Sequence, residues 1–426
     1  MAEYTLIELA SWNEKIEQQV GDIGLDAYEQ HFELCSYEDM LCYEAYVGMP
    51  SHYPHWSFGK AYERQKTFYQ YNLAGLPYEM VINSDPCIAY LMRDNTLLLQ
   101  ILTMAHVYGH NDFFKNNRLF KQNTRAELTI EMFKGHANRV RQYIEDPGIG
   151  LEKVERILDA AHSLKFQIPR TKLAKQQSLA EQSKEREAGE AVPERFKNDL
   201  LGFLAERGRL TDWERDLISI VRDETLYFIP QIETKIMNEG WASYWHYEIL
   251  KNLDLPQNLY LEYIQRHHLV ICPSQGSINP YFVGFKMFEY LDKTYGRAKV
   301  MEIRADERDQ SFLRRYLTRE LCEELHLFSY EAADQNIVVT EVSDDLGWKL
   351  VRDHLVNSVG TSGIPVIQPK TVEQGTLILE HVFDGRELEL NYAQRTLKYT
   401  VELWGGKVVL QTKADGQNKE ITCLPE

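Results

Sequence analysis

The stretch LLLQILTMAHVYGHNDFFKNN, Leu97–Asn117, decides how the rest of the chain is read. Together with the residues before it, from Ala89, it is long, apolar and nearly free of helix breakers. It predicts a buried helix ending near Phe114. On a helix turning about 100° per residue, His106 and His110 lie roughly 40° apart, with Thr103, Gly109 and Phe113 on the same side. Two imidazoles at i and i+4 can meet one metal ion, which is why H-x-x-x-H recurs in zinc sites. Gly109 would let another element approach closely. The other reading is a pair of histidines that hydrogen-bond inside a core, and the stretch alone leaves both open.

A second stretch, TKIMNEGWASYWHYEIL, Thr234–Leu250, bears on that choice. On a helix, Lys235, Glu239, Ser243 and His246 fall within an arc of roughly 80°, with Trp241 and Trp245 outside it. A glutamate buried among tryptophans must be paired, and a metal ion is one good partner. Two histidines on one helix and a glutamate on a later one form a common three-ligand catalytic zinc set. Against this stands an ordinary i, i+4 ion pair between Lys235 and Glu239 on a solvated stripe.

Around these two stretches the chain is expected to be mainly α. Helical patterning is read over Thr5–Leu34, Ala61–Gly75, Thr124–Ile144 and, in two or three pieces divided at Pro230, Thr211–Leu250. Further helices run to about Leu327. The segment Tyr46–Lys60, YVGMPSHYPHWSFGK, reads as a loop. Residues 168–195 are charged, have no aromatics and almost no large apolar side chains, and read as a flexible insert or linker. From residue 335 the pattern changes. NIVVTEV, IPVIQPKTV, TLILEHVF, KVVLQTK and KEITCL read as strands, and DLGWKLVRDHLVNSVG and NYAQRTLKYTVELWGG as helices with glycine stops. The order β-α-β-β-α-β plus one strand suggests a ferredoxin-like α+β module over 335–426, following a helical core over 1–330.

Four motifs, PHWSFGK, NTLLLQILTMAHVYGHNDFFKNN, MNEGWASYWH and INPYFVGF, occur in order and together resemble the SpoVR family, named for the stage V sporulation protein R of spore-forming bacilli. The resemblance covers roughly residues 5 to 330, and the C-terminal module more loosely. It implies a role in forming the spore cortex, a modified peptidoglycan, although the family also occurs in bacteria that do not sporulate. The pairing of H-x-x-G-H with N-E-G-W-A is also similar to a zincin metallopeptidase core with a distal glutamate ligand. That analogy implies a helical, zincin-like metal-binding core in which His106, His110 and Glu239 are the ligands and zinc is the cofactor; Fe2+ is the second choice, since two histidines and one carboxylate also describe a non-haem iron set. The departure is Val107, which stands where zincins carry the glutamate that deprotonates water. General-base help of that kind is typically worth about 10²–10⁴-fold.

Candidates for the missing role are His246, two turns beyond Glu239, and the i, i+4 pair Glu127 and Glu131 on the next helix. Asp112 points roughly 160° away from His110 and ranks below them. His55 and Trp56, on a loop of lid-like composition, are candidate substrate contacts. So are Asn111 and Lys115 after the histidines, and Asn279 and Tyr281 in the loop SQGSINPYFVG. Each has a bland alternative as a cap, turn or packed core residue. His267 and His268 are adjacent and receive no role.

Composition sets the outer bounds. The chain has 426 residues and a net charge of −17, which disfavours phosphate backbones and anionic membranes as partners. Six scattered cysteines without a C-x-x-C suggest reduced thiols. The beginning of the chain shows no signal-peptide pattern and no run of membrane-spanning length is visible, so a cytoplasmic location is expected. Phosphate-loop, dinucleotide and nucleophile-elbow motifs are absent. The expectation is a zinc-dependent hydrolase of an amide or peptide bond, acting on a peptidoglycan peptide or its precursor. The alternative is a non-catalytic scaffold with a structural or vestigial metal site, for which the C-terminal module would supply a protein-binding surface.

Overall fold

A computed structural model describes residues 4–71, 78–170, 192–273, 278–333 and 336–425, without the side chains of 329–338. The protein is mainly α, at 61% helix and 13% strand, with a strand-rich C-terminal end. The chain divides into two compact units. One comprises Met1–His52, Ser57–Met132 and Pro230–Ser362, the other Tyr53–Trp56, Phe133–Ile229 and Gly363–Glu426. The expected C-terminal module, 335–426, is thus shared between them. Most of the charged 168–195 stretch lies outside the described residues.

The first unit is built around the helix Leu97–Asn116, capped by the Thr96 hydroxyl, which accepts from the Leu99 amide. Every residue from Leu98 to Phe114 is buried. Against it packs the helix Lys235–Asn252, itself covered by the helix Pro280–Tyr295. Small residues allow both crossings. A Cβ on Gly109 would stand 2.6 Å from Ala242 Cα, and one on Gly240 would stand 2.3 Å from Gly284 Cα. No real carbon sits that close, so the backbones touch. The N-terminus of Lys235–Asn252 is capped from a distant segment: buried Asp309 accepts from the Ile236 and Met237 amides at 2.8 and 2.9 Å. Burial pushes the Asp309 carboxyl up to about 7, against the pull of those two amides. Further along this helix, beside the close contact at Ala242, buried Asp112 accepts from the Trp241 indole at 2.8 Å and pairs with Arg304 at 3.2 Å.

A small mixed sheet flanks the helix Leu97–Asn116. Strands β1 (Gln30–Cys35), β2 (Glu79–Ile82) and β3 (Cys87–Met92) lie in the order β1-β3-β2, with β1 parallel and β2 antiparallel to β3. This corrects the reading of two helices. Thr5–Leu34 is helical only over Leu6–Asp22, and Ala89–Met92 forms the last four residues of central strand β3. A short apolar run that is buried on all sides looks the same in a helix and in a central strand, so periodicity does not separate them. Pro230 sits inside the helix Asp212–Glu233, and the break falls at Thr234. The Tyr46–Lys60 loop ends early, where a helix starts at Trp56.

The second unit combines the helices Leu151–Ser163 and Leu200–Arg207 with a four-stranded sheet and the helix Leu390–Trp404. The sheet order is β6 (Ile367–Glu373), β7 (Thr376–His381), β8 (Val408–Ala414), β9 (Gln417–Cys423). Two antiparallel hairpins are joined side by side through the parallel pair β7–β8, with Leu390–Trp404 as the crossover helix. Trp404 stacks on Phe203 at 5.9 Å. The expected strands and helices are present, but the ferredoxin-like arrangement is not. The NIVVTEV strand, β5 (Asn336–Val342), pairs with β4 (Phe328–Ala333) in a separate two-stranded sheet, so it is not available to the four-stranded one.

If the helix crossing depends on backbone contact, Gly240→Ala or Gly284→Ala should lower unfolding stability by about 1–3 kcal/mol or more, the usual cost of overpacking. Gly135, exposed on a helix with nothing within 4 Å of its Cβ position, serves as control. Gly135→Ala should be neutral or stabilising by up to about 1 kcal/mol. Urea unfolding of the three variants checks this, and equal midpoints would contradict it.

Candidate metal centre

The helix Leu97–Asn116 presents His106 and His110 on one side, with ring centroids 4.7 Å apart. Facing them across the crossing is Glu239, whose Oε2 lies 3.9 Å from His106 Nε2 and 3.6 Å from His110 Nε2. Lys235 points to solvent, so the ion-pair reading of this stripe does not hold. From the sheet side comes Glu79, at the start of β2. Its carboxylate and nitrogens of His106 and His110 lie within 4.8 Å of one another, a candidate metal-binding group.

Ligand atoms about 2.0–2.1 Å from a tetrahedral zinc stand roughly 3.4 Å apart. The separations of 3.6 and 3.9 Å fit such a set after a slight closure. They are too long for hydrogen bonds, and both His106 Nε2 and Glu239 Oε2 are buried without a hydrogen-bond partner. Orphaned buried polar atoms are costly unless something fills the space between them.

The supporting partners prepare the rings for ligation. His110 Nδ1 lies 2.9 Å from the Asn238 amide oxygen, which can only accept, so Nδ1 carries the hydrogen and Nε2 keeps its lone pair. Burial, helped by neighbouring His106, pulls His110 down to about 4, so its ring is neutral near pH 7. Burial also raises the Glu239 carboxyl, but the imidazoles of His106 and His110 outweigh it, and the group ionises below its ordinary range. Glu79 moves the other way: burial pushes its carboxyl up, only partly countered by His106. The Tyr281 hydroxyl is driven far above its ordinary value by the Glu239 charge and then by burial. It therefore stays protonated.

A cavity of about 330 Å³ opens on this group. Glu79, Thr103, His106 and Tyr281 form its polar side, while Leu99, Leu102, Leu269 and Val270 form apolar walls, with Tyr78 and Arg266 completing it.

The other sequence candidates fall elsewhere. His246 is fully buried with its Nδ1 3.0 Å from His106 Nδ1, behind the ligand and away from the cavity lining. Glu127 and Glu131 are exposed and do not line the cavity; they do not share one helix, since Glu127 lies in the 3-10 turn Ala126–Leu128 and Glu131 in the helix Thr129–Glu145. His55 and Trp56 belong to the second unit, where both approach Asp159, at 3.3 and 2.8 Å. Asn111 and Lys115 hold the segment before β1: Asn111 pairs with the Tyr28 backbone in both directions, and Lys115 reaches Asp26 and the Ala27 carbonyl. Asn279 caps the helix Pro280–Tyr295 and donates to the Val270 and Cys272 carbonyls. Three contributors were not singled out from sequence. Glu79 sits on a four-residue strand whose alternation is too short to recognise. Asn238 is adjacent to Glu239 with no spacing signal. His267 pairs with His246 only through the tertiary fold.

Comparison with known proteins agrees with the motifs. Residues 3–192 and 175–364 match the family described as SpoVR like protein, and residues 364–415 match the SpoVR-like C-terminal domain. The chain belongs to the SpoVR family. Its members include the Escherichia coli (strain K12) protein named "Uncharacterized protein YcgB", 30% identical over 94% of this chain and 91% of that one. SpoVR membership supports a sporulation-related protein. The second SpoVR profile takes over at residue 364, close to Gly363, where the chain re-enters the second compact unit. No solved structure matches the chain. Among the described residues, no helix is long and apolar enough to cross a membrane.

The purified protein should take up one equivalent of zinc. His106→Ala and His110→Ala should each abolish it, whereas Glu131→Ala should leave it unchanged. Titration against a chromophoric chelator reads this directly, and wild-type uptake by the double variant His106→Ala/His110→Ala would place the metal elsewhere.

Proposed function

We propose that the chain is a metal-dependent hydrolase, zinc being the first candidate, that cuts an amide or peptide bond held in the cavity beside His106. The observation that supports this most is the convergence of four ionisable side chains from three elements on one buried point, where His106 Nε2 and Glu239 Oε2 have no other partner. In this reading His106 and His110 hold the ion through Nε2 and Glu239 through Oε2. A bound zinc ion supplies a Lewis acid that polarises a carbonyl and acidifies water. The zincin analogy is one of ligand pattern, two histidines on one helix and a glutamate on another.

Glu79 takes the role that Val107 leaves vacant. It lines the cavity, and burial raises its carboxyl, so the carboxylate is a stronger base than an exposed glutamate. It accepts the proton of the attacking water and can deliver it to the leaving amine. Tyr281, kept protonated, donates to the oxygen on which negative charge develops. The four aliphatic residues give the substrate an apolar surface to lie on, and Arg266 offers a cation to a carboxylate of the substrate. The sporulation-related family and the cortex role that its motifs imply favour a peptidoglycan stem peptide, or its cytoplasmic precursor, as substrate. Non-haem iron is the second choice of metal, since two histidines and a carboxylate also suit it. Val107 favours one competing reading, a scaffold that binds metal without turnover.

The test is release of amine from stem-peptide substrates by zinc-loaded protein. Glu79→Gln should lower kcat by about 10²–10⁴-fold, the usual worth of a general base, with zinc stoichiometry unchanged. Glu239→Gln should lose zinc itself. Full turnover by Glu79→Gln would remove the base assignment. Absence of turnover in the loaded wild type, with a folded Glu239→Gln variant that still supports cortex formation, would favour the scaffold.

A further inference from the structure

The candidate centre continues behind its ligands as a row of three histidines. His106 Nδ1 lies 3.0 Å from His246 Nδ1, and His246 Nε2 lies 2.8 Å from His267 Nδ1. The rings are 3, 0 and 3% exposed, so no bulk water competes for these bonds. Each ring comes from a different helix: Leu97–Asn116, Lys235–Asn252 and Gln257–Val270. The last of these also supplies Arg266, Leu269 and Val270 to the cavity wall.

A hydrogen bond between two imidazole nitrogens needs one N–H and one lone pair, and a neutral imidazole has one of each. His246 has each of its ring nitrogens within hydrogen-bond distance of another imidazole nitrogen, so with a single hydrogen it donates to one neighbour and accepts from the other. With one hydrogen on each ring, three rings in a row have two self-consistent arrangements. In the outward one, His106 Nδ1 donates to His246 Nδ1 and His246 Nε2 donates to His267 Nδ1, which leaves the lone pair of His106 Nε2 free. In the inward one, His267 Nδ1 donates to His246 Nε2 and His246 Nδ1 donates to His106 Nδ1, so that His106 Nε2 carries the hydrogen. A single ring cannot reverse alone, because two lone pairs or two N–H groups would then meet in a buried space.

The surroundings of His106 Nε2 choose between them. Without a cation, an N–H there points towards the Glu239 carboxylate 3.9 Å away, which favours the inward arrangement. A cation needs the lone pair and therefore the outward one. We infer that His246 and His267 are positioning residues of the metal centre, and that cation binding reverses the direction of the whole hydrogen-bond row. The helix Gln257–Val270, and with it one wall of the cavity, is thereby tied to metal occupancy. No ring changes its charge in this exchange. The hydrogen moves from His106 Nε2 to Nδ1, and His246 and His267 each move theirs from Nδ1 to Nε2. The inference rests on the metal-centre reading above, and the experiment separates the two.

The test is nitrogen NMR of the full chain labelled with ¹⁵N-histidine, before and after one equivalent of zinc. The expected result is that His246 carries its hydrogen on Nδ1 in the metal-free protein and on Nε2 in the zinc-bound one, with His267 following. Zinc binding with the same protonated nitrogen on His246 in both states would overturn this inference and leave the metal centre standing. Failure of the wild type to bind zinc would overturn both. A second measurement uses His267→Phe, an aromatic replacement among Tyr247, Tyr263 and Phe285 that cannot accept from His246. Loss of such an outer partner typically weakens metal binding by about 10–100-fold, and that is the expected shift in zinc Kd. His268→Phe, at the exposed neighbouring position, should leave it unchanged. A wild-type Kd for a folded His267→Phe would count against the row.

Discussion

The backbone contact between the helices Leu97–Asn116 and Lys235–Asn252 is the constraint on which the rest of the first unit depends. Gly109 meets Ala242, and Gly240 meets Gly284 on the far side, so three helices stack with no side chain between their axes at those points. That closeness brings Glu239 within 4 Å of both histidines. One larger residue at the crossing would separate the carboxylate from the imidazoles before it altered the overall fold. Asp309 and Asp112 pin the register of the glutamate helix, the first through its opening amides and the second through the Trp241 indole. Register matters here because one helical residue of slippage would turn Glu239 by about 100°.

Burial sets the protonation states around this crossing in a consistent way. It removes the charge from His110, His246 and His267, and it raises the carboxyls of Glu79, Asp112 and Asp309. Glu239 alone among these buried carboxyls shifts downwards, because both imidazoles face it. Neutral imidazoles and one firmly ionised carboxylate are the states in which such side chains ligate a cation. The second carboxylate, Glu79, is the more basic one and borders the cavity. Two carboxyl groups at one site are thereby pushed apart in basicity, the pattern that divides ligand from base.

Much of this was legible in the sequence, and the misses share a cause. His106, His110 and Glu239 stood out because helical spacing and an apolar setting announce themselves along the chain; Tyr281 was read in a loop, and the structure places it in the first turn of the helix Pro280–Tyr295. The polar residues misread as substrate contacts, Asn111, Lys115 and Asn279, hold backbone segments together instead. A polar side chain near a site has the same sequence signature whether it faces a ligand or a carbonyl. Glu127 and Glu131 were candidates by spacing alone, and the structure leaves both exposed, one on a 3-10 turn and the other on the helix after it. In the C-terminal part the hydrophobic periods located the strands, yet nothing local says that β5 pairs backwards with β4 or that β7 and β8 run parallel. Pairing is a choice between strands of similar local character.

By itself the sequence determined the mainly α class, the buried histidine helix and the glutamate that answers it. These depend on spacing within single elements, where 3.6-residue geometry converts order into direction. It also determined the family, through motifs long enough to be specific. Only the tertiary structure decided that Glu79 reaches the histidines from a strand, that Asn238 sets the tautomer of His110, and that His246 and His267 line up behind His106. Those contacts join residues between 21 and 140 positions apart. Their geometry follows from how closely three helices and a small sheet can pack, which no local pattern encodes.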